Sequence, residues 1–260
     1  MAKNSKPNLN YKDLVLRHKF IIPKKLQEKI KKCKIMLLGC GLGAQIGVLA
    51  ARTGFMNFVL IDGDKVDISN LNRQAFRYKH IGKNKAEALA SMIKEINPKA
   101  NVEYYPIFLR SKKLAKELID KSDVVVNMAD PEEILYFVND YSQDTGKPVF
   151  FPLNIAWGGY VLVFTPDSPK LREIVGEETY RDNRFYLKLL QNTFSTFPAD
   201  LLQFYKKMGQ KNLSELSGPQ LGATTYLTSS IVVNGIVKWL SGQPLKKAPQ
   251  PIFLDLWEEV

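Results

Sequence analysis

The chain has 260 residues, 45% of them hydrophobic, so it is long enough to bury a substantial core within one domain. Two cysteines exclude a disulfide framework, the polar, lysine-rich N-terminus excludes a secretory signal segment, and no apolar stretch is long enough to predict a membrane span. We therefore expect a cytoplasmic protein, and its net charge of +11 leaves RNA or an acidic protein open as partners.

The excess positive charge lies near the N-terminus. Residues 1–34 hold eleven basic and two acidic side chains, a net charge of +9, and the rest of the chain contributes only +2. We predict a basic arm over residues 1–20, with a solvated helix face around Lys24 to Lys32. A solvated tail is the simpler interpretation of the arm, and the alternative is an electrostatic dock for an acidic carrier protein or for RNA.

The first predicted strand, Lys34–Leu38, is a short apolar run typical of a buried parallel strand. It enters a glycine-rich turn, and a predicted helix over Gln45–Thr53 follows and ends at Gly54. The turn has the sequence Gly39-Cys40-Gly41-Leu42-Gly43-Ala44, which fits G-x-G-x-x-G/A, a pattern whose glycines let a phosphate approach a helix N-terminus. This pattern alone would suit an NAD-dependent dehydrogenase equally well, and such turns also occur for packing reasons.

A second buried strand, Phe58–Ile61, is followed by two carboxylates, Asp62 and Asp64. A carboxylate at this place in a nucleotide-binding unit suits the hydroxyls of a ribose. The segment continues through two asparagines to Arg73 and Gln74, without the Gly, Pro and Ser residues of an ordinary connecting loop. An arginine about ten residues after the ribose-binding acid can place a planar cation on a polyphosphate.

A third segment places lysines at the start of a helix. The helix is predicted over Lys83–Ile96 and is ended by Pro98. Lysines in a first turn oppose the helix dipole, a cost that is reasonable if Lys85 reaches an anion. The neighbouring Lys83 is better explained as a solvated side chain.

A predicted strand that begins at Asp123 runs into a further carboxylate, Asp130, at its C-terminal end. The position is the carboxyl end of a strand, where ligands bind in open α/β sheets. Asp130 also precedes Pro131, so it could instead cap the next helix.

The least informative part of the sequence is residues 166–220, a crossover or acceptor-selecting region. Two amphipathic segments there, Tyr180–Leu190 and Ala199–Met208, predict helices over the sheet edge. Beyond them, Tyr226–Leu240 predicts a buried helix and Ile252–Leu256 a late strand. We treat residues 21–260 as a single domain.

Taken in order, these residues resemble the ThiF-type adenylyltransferases, bacterial relatives of ubiquitin-activating enzymes that include the molybdopterin-synthase and thiamine sulfur-carrier activating enzymes. The resemblance covers residues 15–165 and returns at residues 222–242 and 252–256. It rests on Gly39-x-Gly41, Asp62-Gly-Asp64, Ser69-Asn-Leu-Asn-Arg-Gln74, Gly82-x-x-Lys85, Ile96-Asn-Pro98 and Asp130, which occur at similar spacings. It implies an α/β fold with a Rossmann-like, doubly wound, mostly parallel sheet and helices on both faces.

The resemblance also implies an activity. Such enzymes bind ATP and Mg²⁺ and adenylate a carboxylate, usually the C-terminal glycine of a ubiquitin-like carrier protein, with release of pyrophosphate. The substrate's own carboxylate attacks, so catalysis consists mainly of positioning and electrostatic stabilisation. By the same resemblance we expect a homodimer that acts on such a carrier or on a peptide with a free C-terminal carboxylate, with Arg17 reaching the partner's ATP in trans.

Residue by residue, the resemblance assigns roles around the nucleotide. Asp62 would bind the ribose hydroxyls, and Asp130 would bind Mg²⁺ together with ATP oxygens and water. Asn70, Arg73 and Lys85 would grip the phosphates. The other predicted nucleotide-binding residues are Gly39, Gly41, Gly43, Asp64 and Gln74.

The cysteines depart from the family pattern. Cys33 and Cys40 are the only two, so the four-cysteine zinc site of many relatives cannot form, and no structural zinc is expected. No later cysteine is present to carry a thioester, so the adenylate would pass to an external nucleophile. The glycine turn also lacks the family's paired glycines, which leaves its phosphate contacts open.

Three other functions stay open. A tRNA threonylcarbamoyladenosine dehydratase-like enzyme would share an Asn-x-Asn-Arg-Gln block and explain the basic arm, with a steep salt dependence of tRNA binding. A catalytically silent subunit that pairs with an active one is the second. A dehydrogenase is the third, and it would bind NAD(H).

Overall fold

The fold is built on a seven-stranded sheet in which the first five strands along the chain are parallel. The computed structural model describes residues 9–176, 183–194 and 220–255. Within them the strands are β1 (Lys34–Leu38), β2 (Asn57–Ile61), β3 (Asn101–Tyr105), β4 (Val124–Asn127), β5 (Val149–Ile155), β6 (Gly158–Phe164) and β7 (Ile252–Asp255).

The strand order is β3-β2-β1-β4-β5-β6-β7, and the last two strands run antiparallel to their neighbours. The winding reverses between β1 and β4, which pair in parallel with Ile35 opposite Val124. The loops after these two strands lead away from each other and leave a crevice at the carboxyl ends, where open α/β sheets bind ligands. The predicted doubly wound, mostly parallel sheet is confirmed.

Helices cover both faces of this sheet. In the described residues the helices are α1 (Tyr11–Leu14), α2 (Lys24–Lys32), α3 (Gly41–Thr53), α4 (Lys85–Ile96), α5 (Lys112–Asp120), α6 (Glu133–Asp144), α7 (Leu171–Val175), α8 (Asn183–Thr193) and α9 (Gly222–Leu240). Three short 3-10 turns occupy Leu16–His18, Ile68–Asn70 and Tyr78–His80. One face of the sheet packs against α2, α3, α4 and α9, and the other against α5, α6, α7 and α8.

Strand β1 shows why the central strands are apolar throughout. Ile35 and Leu37 belong to the core on one face of the sheet, and Met36 and Leu38 belong to the core on the other. Successive side chains of a strand point to opposite faces, so a strand covered on both sides needs apolar residues at every position.

The helix after the glycine turn begins at Gly41, four residues before the predicted start at Gln45. The N–H of Ala44 already donates to the carbonyl of Cys40 at 3.2 Å, so the end of the glycine turn is the first turn of the helix. The helix ends as predicted at Gly54, which adopts φ of +100°. Helix α9 likewise begins earlier than predicted, at Gly222.

Several predicted segments are only partly described. The amphipathic segment Tyr180–Leu190 corresponds to α8, whereas Ala199–Met208 lies outside the described residues. Strand β7 matches the predicted late strand as far as Asp255, and Leu256 lies outside.

The described part of the N-terminal arm packs on the domain. The Tyr11 hydroxyl donates to the carbonyl of Gly54 at 2.9 Å, and it accepts a hydrogen bond from Nε2 of Gln27 at 2.9 Å. Tyr11 thus joins the arm to Gln27 of α2 and to Gly54 at the end of α3. Among the described helices, none combines the length and apolar character that a bilayer crossing requires.

Candidate active site

A cavity of about 420 Å³ lies at the carboxyl ends of β1 to β5, over the point where the strand order reverses. Residues that follow β1, β2 and β3, with Lys85, form one side, here called the β1–β3 half. Residues that follow β4 and those of β5, with Tyr186 and Gln220, form the other side, the β4–β5 half.

The glycine turn after β1 brings its backbone against the end of β4. Gly39 has φ of +94°, a left-handed conformation that strains other L residues. A Cβ on Gly39 would lie 2.9 Å from the carbonyl oxygen of Met128, and one on Gly41 would lie 3.0 Å from Nε2 of Gln74. Both glycines line the cavity, so a ligand can approach the backbone closely here.

Asp62 is held firmly at the end of β2. Its Oδ2 accepts the N–H of Cys40 at 2.6 Å, and its Oδ1 accepts the N–H of Asp64 at 2.8 Å. Burial raises the pKa of the Asp62 carboxyl, while these two donors and Lys85 act in the opposite direction. Each carboxylate oxygen has a second lone pair, so Asp62 can also accept hydrogen bonds from a pair of hydroxyls in the cavity.

The loop over residues 67–74 sets the position of Arg73. The carboxylate of Asp67 accepts the N–H of Ser69 at 2.8 Å, and Oδ1 of Asn70 accepts the N–H of Asp67 at 3.1 Å. Nη1 of Arg73 donates to the carbonyl of Ser69 at 2.7 Å. Beside it, Oε1 of Gln74 is buried without a hydrogen-bond donor from the described residues, so it can accept one from a ligand.

Lys85 is the first residue of α4, and its side chain is only 11% exposed. Asn84 caps this helix: its Oδ1 accepts the N–H of Ala86 at 2.8 Å, and its Nδ2 donates to the carbonyl of Asp62 at 2.8 Å. The Nζ of Lys85 lies 2.9 Å from Oδ2 of Asp64. The end of β2 and the start of α4 are thereby joined, with the lysine cation at the cavity wall.

Asp130 lies across the crevice, after β4. Helix α6 begins only at Glu133, with Glu132 as its N-cap residue, so the alternative prediction that Asp130 caps this helix is wrong. Loss of water inside the cavity raises the pKa of Asp130, and the carboxylates of Asp64 and Glu132 raise it further, against an opposing effect of Lys85. Asp130 can therefore serve as one carboxylate ligand of a divalent cation, and the described residues hold no group of three or more His, Cys, Asp or Glu side chains placed to bind a metal.

The two halves of the cavity differ in charge. The cationic side chains of the described lining, Arg73, Lys85 and Arg110, all belong to the β1–β3 half. The described lining of the β4–β5 half has no cation; it holds two carboxylates, Asp130 and Glu132, and six apolar residues, Met128, Ala129, Ile134, Phe151, Pro152 and Leu153. The cavity can therefore accept the anionic part of a ligand beside the three cations, and a metal cation or an uncharged segment of a ligand in the other half.

A sequence model described as the ThiF family matches residues 14–259, which is most of the chain. The chain belongs to the ThiF family. The resemblance inferred from the motifs is thus confirmed, and the motif residues Asp62, Arg73, Lys85 and Asp130 lie around one cavity of this ThiF-family protein.

Named relatives carry adenylyltransferase functions. A sulfur carrier protein adenylyltransferase of Thermus thermophilus is 31% identical over 140 residues, which cover 53% of this chain and 51% of the relative. A molybdopterin-synthase adenylyltransferase of Haemophilus influenzae is 32% identical over 161 residues, which cover 60% of this chain and 65% of the relative. The chain thus spans between half and two thirds of the length of these relatives, and the tRNA-modifying alternative is not favoured by them.

Among solved structures, the crystal structure of PaaA superposes with a TM-score of 0.69 at 22% sequence identity. The superposition covers 98% of this chain and 83% of PaaA. At this identity the likeness establishes the fold of the ThiF-family chain and no more.

The structure brings most of the predicted site residues to the cavity, but not all. Asn70 is buried and its amide oxygen is used by the loop, and Gly43 packs against the methyl group of Met128. Arg17 is exposed in the 3-10 turn after α1 and does not line the cavity of its own chain. The predicted residues that do line it are Gly39, Gly41, Asp62, Asp64, Arg73, Gln74, Lys85 and Asp130.

The sequence motifs do not indicate that the segment after β3 lines the cavity. Phe108 lies over the backbone of Gly63, where a Cβ would come within 2.4 Å of its ring, and Arg110 adds a third cation. The signal that could have found them is topological, since the carboxyl ends of neighbouring parallel strands meet at the same edge of a sheet.

Proposed function

We propose that this ThiF-family protein transfers the adenylyl group of ATP to a carboxylate and releases pyrophosphate. The acceptor we propose is the C-terminal glycine of a small ubiquitin-like carrier protein, or a peptide with a free C-terminal carboxylate. The main support is the asymmetric charge of the cavity. A nucleotide polyphosphate fits beside the three cations of the β1–β3 half. The uncharged tail of an acceptor fits beside the apolar residues of the β4–β5 half, whose described lining holds no cation.

The residues of the β1–β3 half would position the nucleotide. Asp62 would accept hydrogen bonds from the ribose hydroxyls, and Arg73 and Lys85 would bind the phosphates. An oxygen of the acceptor carboxylate attacks the α-phosphorus, the bond to the bridging oxygen breaks, and pyrophosphate leaves. Preorganised cations near the phosphates stabilise the charge that develops in this step.

We propose that Mg²⁺ accompanies the nucleotide and is held by Asp130. The donor set fits this ion: a carboxylate whose pKa is raised by burial and by Asp64 and Glu132 is suited to a hard cation. When bound, Mg²⁺ neutralises phosphate charge. We also propose that no structural zinc is required, so that purified protein contains none in stoichiometric amount and exchange activity depends on added Mg²⁺.

The activated group would leave without an enzyme thioester. Cys33 and Cys40 are both buried, burial raises the pKa of Cys33 to about 12, and burial raises that of Cys40 well above its ordinary value. A thiol that stays protonated is not a nucleophile. The adenylate would therefore pass to an external nucleophile, and two free thiols suit the cytoplasm.

We further propose a homodimer in which Arg17 serves the partner subunit's site. Three apolar side chains around it are exposed in the isolated chain: Leu16 by 47%, Phe20 by 104% and Ile21 by 80%. Contact with a second copy would remove this surface from water. An arginine supplied in trans would then complete the phosphate-binding charges.

Exchange of labelled pyrophosphate into ATP, in the presence of candidate carrier proteins, tests the proposed activity. Arg73→Ala and Asp130→Ala should each lower exchange by about 10²–10³-fold, the effect of losing one preorganised charged contact. Arg52→Ala, which removes an exposed arginine of α3 outside the cavity, is the matched control and should be unchanged. Near wild-type exchange by Arg73→Ala or Asp130→Ala would remove that residue from the mechanism.

A further inference from the structure

Among the described residues, the guanidinium of Arg73 is held only by neutral acceptors. Nη1 donates to the carbonyl of Ser69 at 2.7 Å and to Oδ1 of Asn72 at 3.0 Å, and Nε donates to Oε1 of Gln220 at 3.0 Å. Within the described residues it makes no ion pair, although four carboxylates line the same cavity. Arg73 is therefore fixed in orientation while its charge remains available to a ligand.

Lys85, the other cation of the motif, is held differently. Its Nζ lies 2.9 Å from the carboxylate of Asp64, so part of its field is already compensated. This contrast makes the identity of the acceptor at Arg73 important. A carboxylate in place of either side-chain partner, Asn72 or Gln220, would compensate the guanidinium in the same way.

Gln220 is the one partner of Arg73 that comes from a distant part of the chain. It lies 147 residues further along and two residues before α9. The start of this helix is pressed against the Arg73 loop, since a Cβ on Gly222 would lie 2.7 Å from the carbonyl oxygen of Asn72. Gln220 also lines the β4–β5 half of the cavity, so its bond to Arg73 joins the two halves.

The same helix is anchored to the β4–β5 half of the cavity. Asn154, at the end of β5, donates from Nδ2 to Oγ1 of Thr225 at 2.8 Å, and its Oδ1 accepts from Oγ1 of Thr228 at 2.7 Å. Thr225 and Thr228 are buried, so these bonds are shielded from water. The first turns of α9 thus have a fixed place, and Gln220 projects from a rigid base toward Arg73.

We propose that Gln220 is a positioning residue for Arg73: its amide oxygen orients the guanidinium toward the nucleotide phosphates without neutralising it. This inference rests on the proposed function, because it takes the anion at Arg73 to be the polyphosphate of ATP. It assigns to the start of α9 a part in nucleotide binding that the sequence motifs do not contain.

Calorimetric titration with Mg·ATP can distinguish the effect of Gln220 on the orientation of Arg73 from its effect on the charge of Arg73. Gln220→Met, of similar shape but without an acceptor, should weaken binding about three- to tenfold, because one hydrogen bond to a charged group is lost. Gln220→Glu should weaken it by about tenfold or more, since a carboxylate would neutralise Arg73 and repel the phosphates. Gln243→Glu makes the same change of charge at an exposed site beyond the other end of α9 and should have no effect.

The decisive comparison is a double-mutant cycle. In an Arg73→Ala background, Gln220→Met should cause no further loss of Mg·ATP affinity, because the residue through which Gln220 acts is gone. Gln220→Glu should keep only the smaller loss that comes from direct repulsion of the phosphates. Full additivity, or Gln220→Glu binding as tightly as wild type, would overturn the inference. Because Gln220 is exposed, all variants should unfold near the wild-type midpoint. If Gln220→Glu does not fold, the cycle can still be measured with Gln220→Met.

The wild-type titration distinguishes the two proposals. If the folded wild-type protein fails to bind Mg·ATP, the proposed function is wrong and the role of Gln220 falls with it. If the wild type binds Mg·ATP and the cycle is additive, only the role of Gln220 is wrong.

Discussion

Replacing Gly39 with alanine perturbs the contact between the ends of β1 and β4, on which the nucleotide end of the cavity is built. The left-handed backbone costs an L residue roughly 1–2 kcal/mol, and reduced freedom of the unfolded chain offsets roughly 0.4–1 kcal/mol of this. The new Cβ would also lie 2.9 Å from the carbonyl oxygen of Met128. Relieving that overlap costs about 1–3 kcal/mol more.

The expected loss for Gly39→Ala is about 2–4 kcal/mol of unfolding free energy, or about 5–15 °C in the melting temperature of a domain of this size. Gly146→Ala is the matched control. Gly146, just after α6, has φ of +79°, and a Cβ there would have no heavy atom within 4 Å. It carries the same backbone strain without the overlap, so its loss should stay below about 2 kcal/mol.

Urea unfolding and titration with a fluorescent ATP analogue plus Mg²⁺ would measure both effects. Gly39→Ala should weaken nucleotide binding by about tenfold or more, because Met128 must move and Asp130 follows two residues later. Gly146→Ala should bind as wild type does. If the two variants lose equal stability and both bind the analogue normally, the Gly39–Met128 contact does not shape the site.

Three further predictions concern Asp130, the cysteines and the N-terminal arm. The pKa of Asp130 is raised in the folded protein, mainly by burial, so ionisation of Asp130 lowers the stability of the fold as pH rises through that pKa. Asp130→Asn should therefore melt at a higher temperature than wild type at neutral pH. Below the ordinary aspartate pKa the two proteins should melt alike, and calorimetry at both pH values would show this. A lower melting temperature at neutral pH would contradict the proposed crowding of carboxylates. The Cys33→Ala/Cys40→Ala variant should keep most of the wild-type pyrophosphate exchange, and loss of exchange in a folded protein would indicate a role for a thiol. Arg17→Ala should lower exchange strongly without unfolding the protein, and an excess of Asp130→Ala subunits should restore part of it through hybrid dimers; wild-type behaviour, or a monomer at working concentration, would leave Arg17 in a solvated basic arm.

The central strands could be predicted closely from the sequence, whereas β3 could not. The prediction for Lys34–Leu38 matches β1, because a strand buried on both faces is an uninterrupted apolar run. Strand β3, Asn101–Tyr105, lies at the edge of the sheet and is only partly buried. It is a strand because it pairs with β2, and that pairing has no local signal.

The site residues divide in a similar way. Asp62 and Arg73 could be found because they sit in one contiguous segment that follows a strand, and Lys85 because it opens the next helix. Gln220 reaches Arg73 only through folding, across 147 residues, so no spacing rule could indicate it.

Asn70 illustrates a different limit of sequence analysis. The motif predicts a phosphate ligand, and the structure shows that the amide oxygen accepts the N–H of Asp67 and closes the loop, so only Nδ2 could donate to a phosphate. A pattern of residue types does not show whether a polar side chain binds the backbone or a ligand.

Transfer of the α-phosphorus of ATP to a carboxylate is the most direct test of the proposed function. The protein would be incubated with Mg²⁺, ATP labelled at the α-phosphorus, and a panel of ubiquitin-like carrier proteins and peptides that end in glycine. We predict that one acceptor gains the labelled adenylyl group at its C-terminus as pyrophosphate is released. The wild type and the control variant Arg52→Ala should both label this acceptor, and Arg73→Ala should not. Release of ADP and orthophosphate instead, or no labelled acceptor from a folded protein that binds Mg·ATP, would contradict the proposed adenylation.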